Sequence, residues 1–135
     1  FSTHSFSGEA DGNGIDCKMT NIETGEKYKN MYWVSQSYVT LVEVDYTAFG
    51  IKPIINAYTY HSDANYITWG REELNRKTLE LEIYASKTTK RVLAIGLCNV
   101  FTDYSMVIKR WNNLEQELEK KHKEQEEKAR EGNKI

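Results

Sequence analysis

The sequence is poor in proline and cysteine, and it lacks the long apolar runs and leader patterns of membrane and secreted proteins. It has one proline, Pro53, and two cysteines, Cys17 and Cys98. No apolar run of about 18 residues is present, which argues against a transmembrane helix, and no signal peptide is recognisable. No CxxC motif or Cys/His cluster accompanies the cysteines, so we expect no metal site. The two cysteines could form a disulfide, but we interpret both as reduced core thiols, in keeping with a cytoplasmic protein.

Motifs of catalysis are absent as well. The chain has no Gly-rich phosphate loop, GxSxG, HExxH or calcium-loop pattern, and His4, His61 and His122 are far apart. The neighbouring Glu72 and Glu73 could serve acid–base chemistry, but adjacent carboxylates on a polar connection are usually solvated. We therefore predict that the protein is not an enzyme and uses no cofactor. A formal net charge of −2 gives no overall attraction to nucleic acid or membrane.

Alternating apolar residues predict a β-rich domain. Residues 77–96 read as strand, polar loop and strand: Leu79, Leu81 and Ile83 alternate with polar residues, and the apolar pattern resumes at Val92. Further strands are predicted at residues 15–20, 38–46, 54–60 and 66–69, with a weak edge strand at residues 1–9. The aromatic segment 28–33 reads as irregular, and residues 70–76 read as a polar connection.

The last part of the chain has a different composition. Residues 112–131 are mostly Glu, Gln, Lys and Arg, with few apolar residues beyond Leu114 and Leu118, which predicts an exposed helix ending near Gly132. We therefore divide the chain into a β-domain at residues 1–111 and a charged helical tail or linker at residues 112–135. Because the chain starts at Phe1 rather than Met, we expect a processed protein or part of a longer one.

Several short motifs resemble those of C2 domains in their order and spacing. They are Ser35-Gln36-Ser37-Tyr38-Val39 before an alternating strand, the Leu-x-Leu-x-Ile-Tyr strand with its return at Ile95-Gly96, and the closing Trp111-Asn112-Asn113-Leu114. The resemblance spans residues 15–114. It implies an all-β fold, an antiparallel C2-like β-sandwich, followed here by the C-terminal charged helix.

The departures from the C2 pattern concern calcium. Calcium-binding C2 domains hold the ion with aspartates on two loops. The resemblance places those positions on Gln36, Ala85, Lys87 and Leu93, which supply no carboxylate. It therefore implies a calcium-independent member.

The resemblance also implies that two loops meet at one end of the sandwich, where cations would lie beside aromatic residues. Lysine and arginine attract anionic lipid, and tryptophan and tyrosine favour the membrane interface. The candidate membrane- or partner-binding residues are Lys27, Lys29, Tyr32, Trp33, Lys87, Lys90 and Arg91.

Three functions follow as hypotheses. The first is a non-catalytic scaffold module that docks a protein partner and is joined by its tail to a coiled-coil segment, through which it could also self-associate. The second is weak, calcium-independent binding to anionic membranes through the candidate loops. The third is a calycin-like barrel that binds an apolar ligand, although the first strand lacks the Gly-x-Trp typical of that group. No nucleic-acid partner is expected, because no basic–aromatic surface strand appears. We predict a cytoplasmic location, including association with membranes or the cytoskeleton.

Overall fold

The computed structural model describes residues 8–135, which form ten β-strands and one α-helix. The strands are β1 (Asn13–Asn21), β2 (Lys27–Ser35), β3 (Tyr38–Leu41), β4 (Glu43–Thr47), β5 (Gly50–Ile54), β6 (Ala57–Ser62), β7 (Tyr66–Trp69), β8 (Glu72–Asn75), β9 (Glu80–Tyr84) and β10 (Val92–Phe101), and the helix is α1 (Ser105–Glu131). The predicted edge strand at residues 1–9 lies almost wholly outside the described residues.

Eight of these strands form a closed antiparallel barrel, in the order β1-β10-β9-β8-β7-β6-β3-β2. The barrel closes because β1 pairs with β10 from Gly14 opposite Phe101 to Asn21 opposite Ala94, while its other edge pairs with β2. The predicted β-sandwich is therefore wrong, and with it the fold that the C2 resemblance implied. Alternation of apolar and polar residues is the same in sandwiches and barrels. What separates them is the pairing of the first strand with the last.

The two ends of the barrel differ. The loop end carries the β1–β2 turn at residues 22–26, the β7–β8 turn at residues 70–71 and the β9–β10 loop at residues 85–91. The closed end carries the β2–β3 turn at residues 36–37 and is covered by a closing segment, residues 8–12. Within that segment the Gly12 N–H donates to the Val34 carbonyl at 2.8 Å. The Asp11 carboxylate accepts from the Ser37 N–H at 3.0 Å and from the Tyr60 hydroxyl at 2.9 Å.

The barrel interior is filled by side chains over most of its depth. Strand residues alternate between the inside and the outside, and the inward series of each strand supplies the core. Its buried members are Ile15, Cys17, Met19, Tyr32, Val34, Val39, Tyr60, Ile67, Trp69, Leu74, Leu81, Ala94 and Cys98. Gly96 leaves room for this packing, because a Cβ there would lie 2.4 Å from the Met19 sulfur. The interior is thus a packed core rather than an open channel.

Cys17 and Cys98 form a disulfide inside the barrel. They are opposite one another on β1 and β10, so the bond joins the two strands whose pairing closes the barrel. The interpretation of both residues as reduced thiols is therefore wrong. The pairing could not be read from the residues alone, because the two positions meet only when the barrel closes.

The helix packs on the outside of the barrel with its first half. Val107 is fully buried against Met31 and Val42, and Trp33, Phe101, Trp111 and Leu114 surround them. Further along, His122 stacks on Tyr46 of the β4–β5 hairpin with ring centroids 4.4 Å apart. The helix begins at Ser105, so the predicted division between residues 111 and 112 falls inside it. Its end at Glu131, directly before Gly132, agrees with the prediction.

Three strands were missed in the sequence, β2, β5 and β8, and the single strand predicted at residues 38–46 is two strands, β3 and β4. Residues 28–33, predicted to be irregular, belong to β2, and the polar connection at residues 70–76 contains β8. In β2 the outward Met31 and Trp33 are apolar because the helix covers them, so both faces of the strand are apolar and alternation disappears. In β8 only Leu74 is apolar, which is too little to produce a pattern.

Candidate functional site

The inward faces of the strands at the loop end form a ring of half-buried side chains, which we call the mouth. Register fixes their orientation: Tyr28 pairs with the interior Met19, Leu41 with the interior Tyr32, and Tyr58 with the interior Val39. In the same way Glu72 pairs with the buried Trp69 on one side and with Ile83 on the other. The mouth consists of Tyr28, Leu41, Tyr58, Glu72 and Ile83.

The floor of the mouth is the top layer of the core. Tyr28, Leu41 and Ile83 pack directly on the buried cluster. Below them the rings of Tyr32 and Trp69 meet edge to face, with centroids 5.2 Å apart. The Asn30 side-chain amide donates to the Tyr32 hydroxyl at 3.0 Å. A molecule entering from the loop end would therefore meet Tyr28, Leu41 and Ile83, because Tyr32 and Trp69 beneath them are each only 2% exposed.

Glu72 has an unusual environment for a carboxylate. Partial burial raises its pKa, and the charge of Arg71 and a hydrogen bond from the Arg71 N–H, 3.2 Å from Oε2, only partly oppose this. The Arg71 guanidinium itself donates to the Ala85 carbonyl at 3.3 Å. Within residues 8–135 no salt bridge involves Glu72. The mouth therefore contains a carboxyl group without a salt-bridge partner.

The charge of Glu72 affects nearby tyrosines. The pKa of Tyr32 is raised well above its usual value, first by burial and then by Glu72. The pKa of Tyr28 is also raised, by burial first, with Glu26 and Glu72 adding to the effect. Tyr58 is also close to Glu72, with Gly70 between the two side chains. A Cβ on Gly70 would be 3.0 Å from Glu72 Oε2 and 3.6 Å from the Tyr58 ring. The carboxyl group thus lies among tyrosine side chains.

The loop end also has a groove of about 270 Å³ on its outer side, below the β9–β10 loop. Lys90 lies over the Tyr84 ring, with Nζ 5.0 Å from the centroid, and 3.8 Å from Glu73 Oε2. The Tyr84 hydroxyl donates to Glu82 at 2.6 Å, and this hydrogen bond is the main reason that the pKa of Tyr84 is raised. The groove is lined by cations and carboxylates together, so it has no strong preference for one sign of ligand charge.

The structure separates the residues that the sequence had grouped. Lys87, Lys90 and Arg91 lie on the β9–β10 loop, and Lys27 follows the adjacent β1–β2 turn, so these four share the loop end, with Lys29 further along β2. Arg91 is 3.7 Å from Glu23 of that turn.

The aromatic members of the group are elsewhere. Tyr32 is buried inside the barrel. Trp33 is near the closed end on the outer surface, with its ring 4.9 Å from that of Tyr104 and 6.0 Å from that of Phe101. The expected tip that combines Trp33 with the loop cations therefore does not form. Gln36 and Lys87 likewise lie at opposite ends of the barrel.

Sequence reasoning mentioned Glu72 but assigned it to solvent together with Glu73. Consecutive residues of a strand face opposite sides, so recognition of β8 would have placed one of the two carboxylates inside. Leu74, two residues after Glu72, marks the inward face. That leucine was the sequence feature from which the inward orientation of Glu72 could have been predicted.

Within the part of the chain that the structure describes, no cluster of three or more His, Cys, Asp or Glu side chains is placed to hold a metal ion. Among residues 8–135 no helix combines the length and the apolar character that a bilayer crossing requires. No family model, curated protein or solved structure matches this chain. The architecture is nevertheless plain: an eight-stranded antiparallel barrel with one C-terminal helix on its outer wall.

Proposed function

We propose that the protein is a calycin-like binding barrel that takes a small, largely apolar molecule at its mouth. The observation that carries this proposal is the asymmetry of the barrel. The closing segment covers one end, whereas the other end presents a ring of half-buried aromatic and aliphatic side chains around Glu72. Ligand sites are concave and mostly apolar with a few placed polar groups, and mouths of β-barrels are a common location for them.

A titration with the uncharged apolar dye N-phenylnaphthylamine tests this function. Dye fluorescence should rise to saturation with one dye per chain, and Tyr58→Ala should weaken binding about tenfold, since removing an aromatic ring that the dye would cover removes over 1 kcal/mol. Tyr66→Ala is the matched control, because Tyr66 faces outward on β7. Absence of saturable binding, or equal loss in both variants, would contradict the proposal.

A protein-docking role is a second candidate, supported by the outer face of β10. Ile95 and Leu97 are 48% and 62% exposed, and with β1 and β9 they line a surface groove of about 480 Å³. Exposed apolar residues side by side are typical of protein contacts. Sedimentation of the wild type and of Leu97→Lys tests whether the face binds a second copy. A larger species that the substitution removes would support docking, and a monomer in both cases would argue against self-docking through it.

Binding to anionic lipid through Lys27, Lys87, Lys90 and Arg91 stays a prediction. Two of these cations already have carboxylate partners, Glu73 and Glu23, which reduces the free positive charge of the loop end. Co-sedimentation with phosphatidylserine vesicles at low and high salt measures it. Binding that salt removes would support the prediction, and none at low salt would contradict it.

The Cys17–Cys98 disulfide is relevant to the cellular compartment in which the protein folds. Disulfides form and persist in oxidising environments, so the Cys17–Cys98 bond favours the secretory pathway or the cell exterior over the cytoplasmic location predicted from the sequence. Labelling of free thiols in the protein from its natural source would distinguish the two.

A further inference from the structure

We infer that the mouth selects ligands that carry a protonated amine, with the Glu72 carboxylate as its anionic partner. This inference rests on the proposed function and specifies the ligand class of the same site. A small aromatic or aliphatic amine combines the apolar body that the ring of the mouth accommodates with a cation for the one carboxylate there.

The distribution of charge along the barrel wall carries the argument. The inward-facing positions of the eight barrel strands, all within the described residues, hold aliphatic, aromatic, cysteine and uncharged polar residues, and Glu72 is the single charged one among them. The cations at the loop end face outward, since Lys27 pairs with Thr20 and Lys29 with Lys18 on the outer surface. An incoming ligand therefore meets one negative charge at the mouth, which the neighbouring Arg71 offsets only in part; the Arg71 guanidinium donates to the Ala85 carbonyl.

A partly buried carboxylate without a salt-bridge partner is unfavourable, because burial removes water that would solvate the charge. The raised pKa of Glu72 reflects this cost. An ammonium group placed against the carboxylate would replace the lost solvation with a charge-assisted hydrogen bond. Binding of an amine should therefore lower the pKa of Glu72, whereas binding of a neutral molecule should not.

The tyrosines around Glu72 add to this preference. Tyr28 and Tyr58 present aromatic side chains on the same inner face, and cations are attracted to the faces of such rings. An anionic ligand, by contrast, would place like charge beside Glu72. The expected order of affinity is amine, then neutral analogue, then carboxylate.

Isothermal titration with phenethylamine, phenethyl alcohol and phenylacetate tests the inference at neutral pH. These probes share one aromatic body and differ in the charge of the terminal group. The wild type should bind the amine at least about tenfold more tightly than the alcohol, the magnitude expected of a hydrogen bond to a charged group. In Glu72→Gln the ratio of the two dissociation constants should fall to about one.

Glu73→Gln is the matched control, because it makes the same change one residue along the strand on the outer face. It should keep the wild-type preference for the amine. If Glu72→Gln does not fold, titration of the wild type at falling pH replaces it, since protonation of Glu72 should remove the preference for the amine while binding of the alcohol persists.

The dye titration distinguishes a failure of the amine inference from a failure of the proposed function. Saturable dye binding together with equal affinity for amine and alcohol would overturn the amine inference and leave the proposed function standing. Absence of both dye and probe binding would overturn the proposed function itself. An amine preference that survives Glu72→Gln would overturn the role of Glu72.

Discussion

At the scale of single residues, the closed end depends on Asp11. Its carboxylate links the closing segment to two parts of the barrel, the Ser37 N–H and the Tyr60 hydroxyl. The Tyr60 hydroxyl in turn accepts from the Ala10 N–H at 3.1 Å. The Asp11 side chain therefore helps to hold the closing segment in place, together with the bonds that the Gly12 and Ala10 N–H groups donate.

We expect Asp11→Ala to lower the free energy of unfolding by about 1–2 kcal/mol, because the Ser37 N–H and the Tyr60 hydroxyl lose their acceptor. Urea denaturation followed by circular dichroism measures the change. Tyr60→Phe also removes two hydrogen bonds, the one to Asp11 and the one from the Ala10 N–H, and should cost a similar amount. Equal stability of Asp11→Ala and the wild type would show that the closing segment is held by other contacts.

Glu72 gives a second residue-scale prediction, on pH. Its pKa is raised in the folded protein, so the folded state holds the proton more tightly than the unfolded state. The stabilising effect of that proton is complete below the unfolded pKa and is lost as pH rises through the folded pKa. Unfolding midpoints of the wild type should therefore fall relative to those of Glu72→Gln between acidic and neutral pH. A constant difference across that range would contradict the burial of this carboxyl group.

At the scale of elements, the pairing of β1 with β10 and the docking of α1 hold the molecule together. The first contact closes the barrel, and the disulfide crosses it. The second covers Met31, Val42 and Trp33, which would otherwise expose an apolar stripe on the outer wall.

Removing the disulfide with the double variant Cys17→Ala/Cys98→Ala should lower the free energy of unfolding by about 2–4 kcal/mol, because the unfolded chain regains the freedom that the cross-link denies it. Chemical denaturation of the variant measures the loss. Reductant should destabilise the wild type by a similar amount and leave the variant unaffected. A variant as stable as the oxidised wild type would show that β1 and β10 pair without help from the bond.

The helix is tested by two neighbouring residues. Val107 is fully buried against the barrel, whereas Ile108 is 45% exposed. Val107→Ala should cost about 2 kcal/mol through lost burial and the cavity left behind, and Ile108→Ala should stay within about 0.5 kcal/mol of the wild type. Equal effects in urea denaturation would mean that the helix does not dock through this face.

At the scale of the whole molecule, the barrel and the first half of the helix form one body, and the helix continues beyond it. Residues 123–131 follow the last aromatic contact, His122 with Tyr46, and are exposed. Ending the chain after His122 should shift the melting temperature by less than about 3 °C, since exposed ion pairs contribute little. Ending it before Ser105 should destabilise the barrel strongly. A large loss from the shorter deletion would assign the exposed turns a structural role.

Much of the local structure was predictable from the sequence, but the closure of the barrel was not. Leu81 and Ile83 lie on the inner face of β9 as their alternation predicts, and residues 85–91 form the loop between β9 and β10. Alternation gives the face of a residue but not the partner of its strand. The sandwich prediction therefore failed at the β1–β10 pairing, which joins residues some eighty positions apart. The mouth was missed for the same reason, since its five residues come from five strands and only closure brings them together.

That pairing of first strand with last also sets an order of events during synthesis. While a ribosome makes this chain, β1 emerges early and its partner β10 is among the last strands to appear. The β1–β10 pairing cannot form until residues near Phe101 have left the exit tunnel. Until then the edge of β1 stays open to other chains. Contacts between distant parts of a chain also form slowly. Until β10 has emerged, the newly made chain should therefore depend on chaperones that shield the exposed edge of β1.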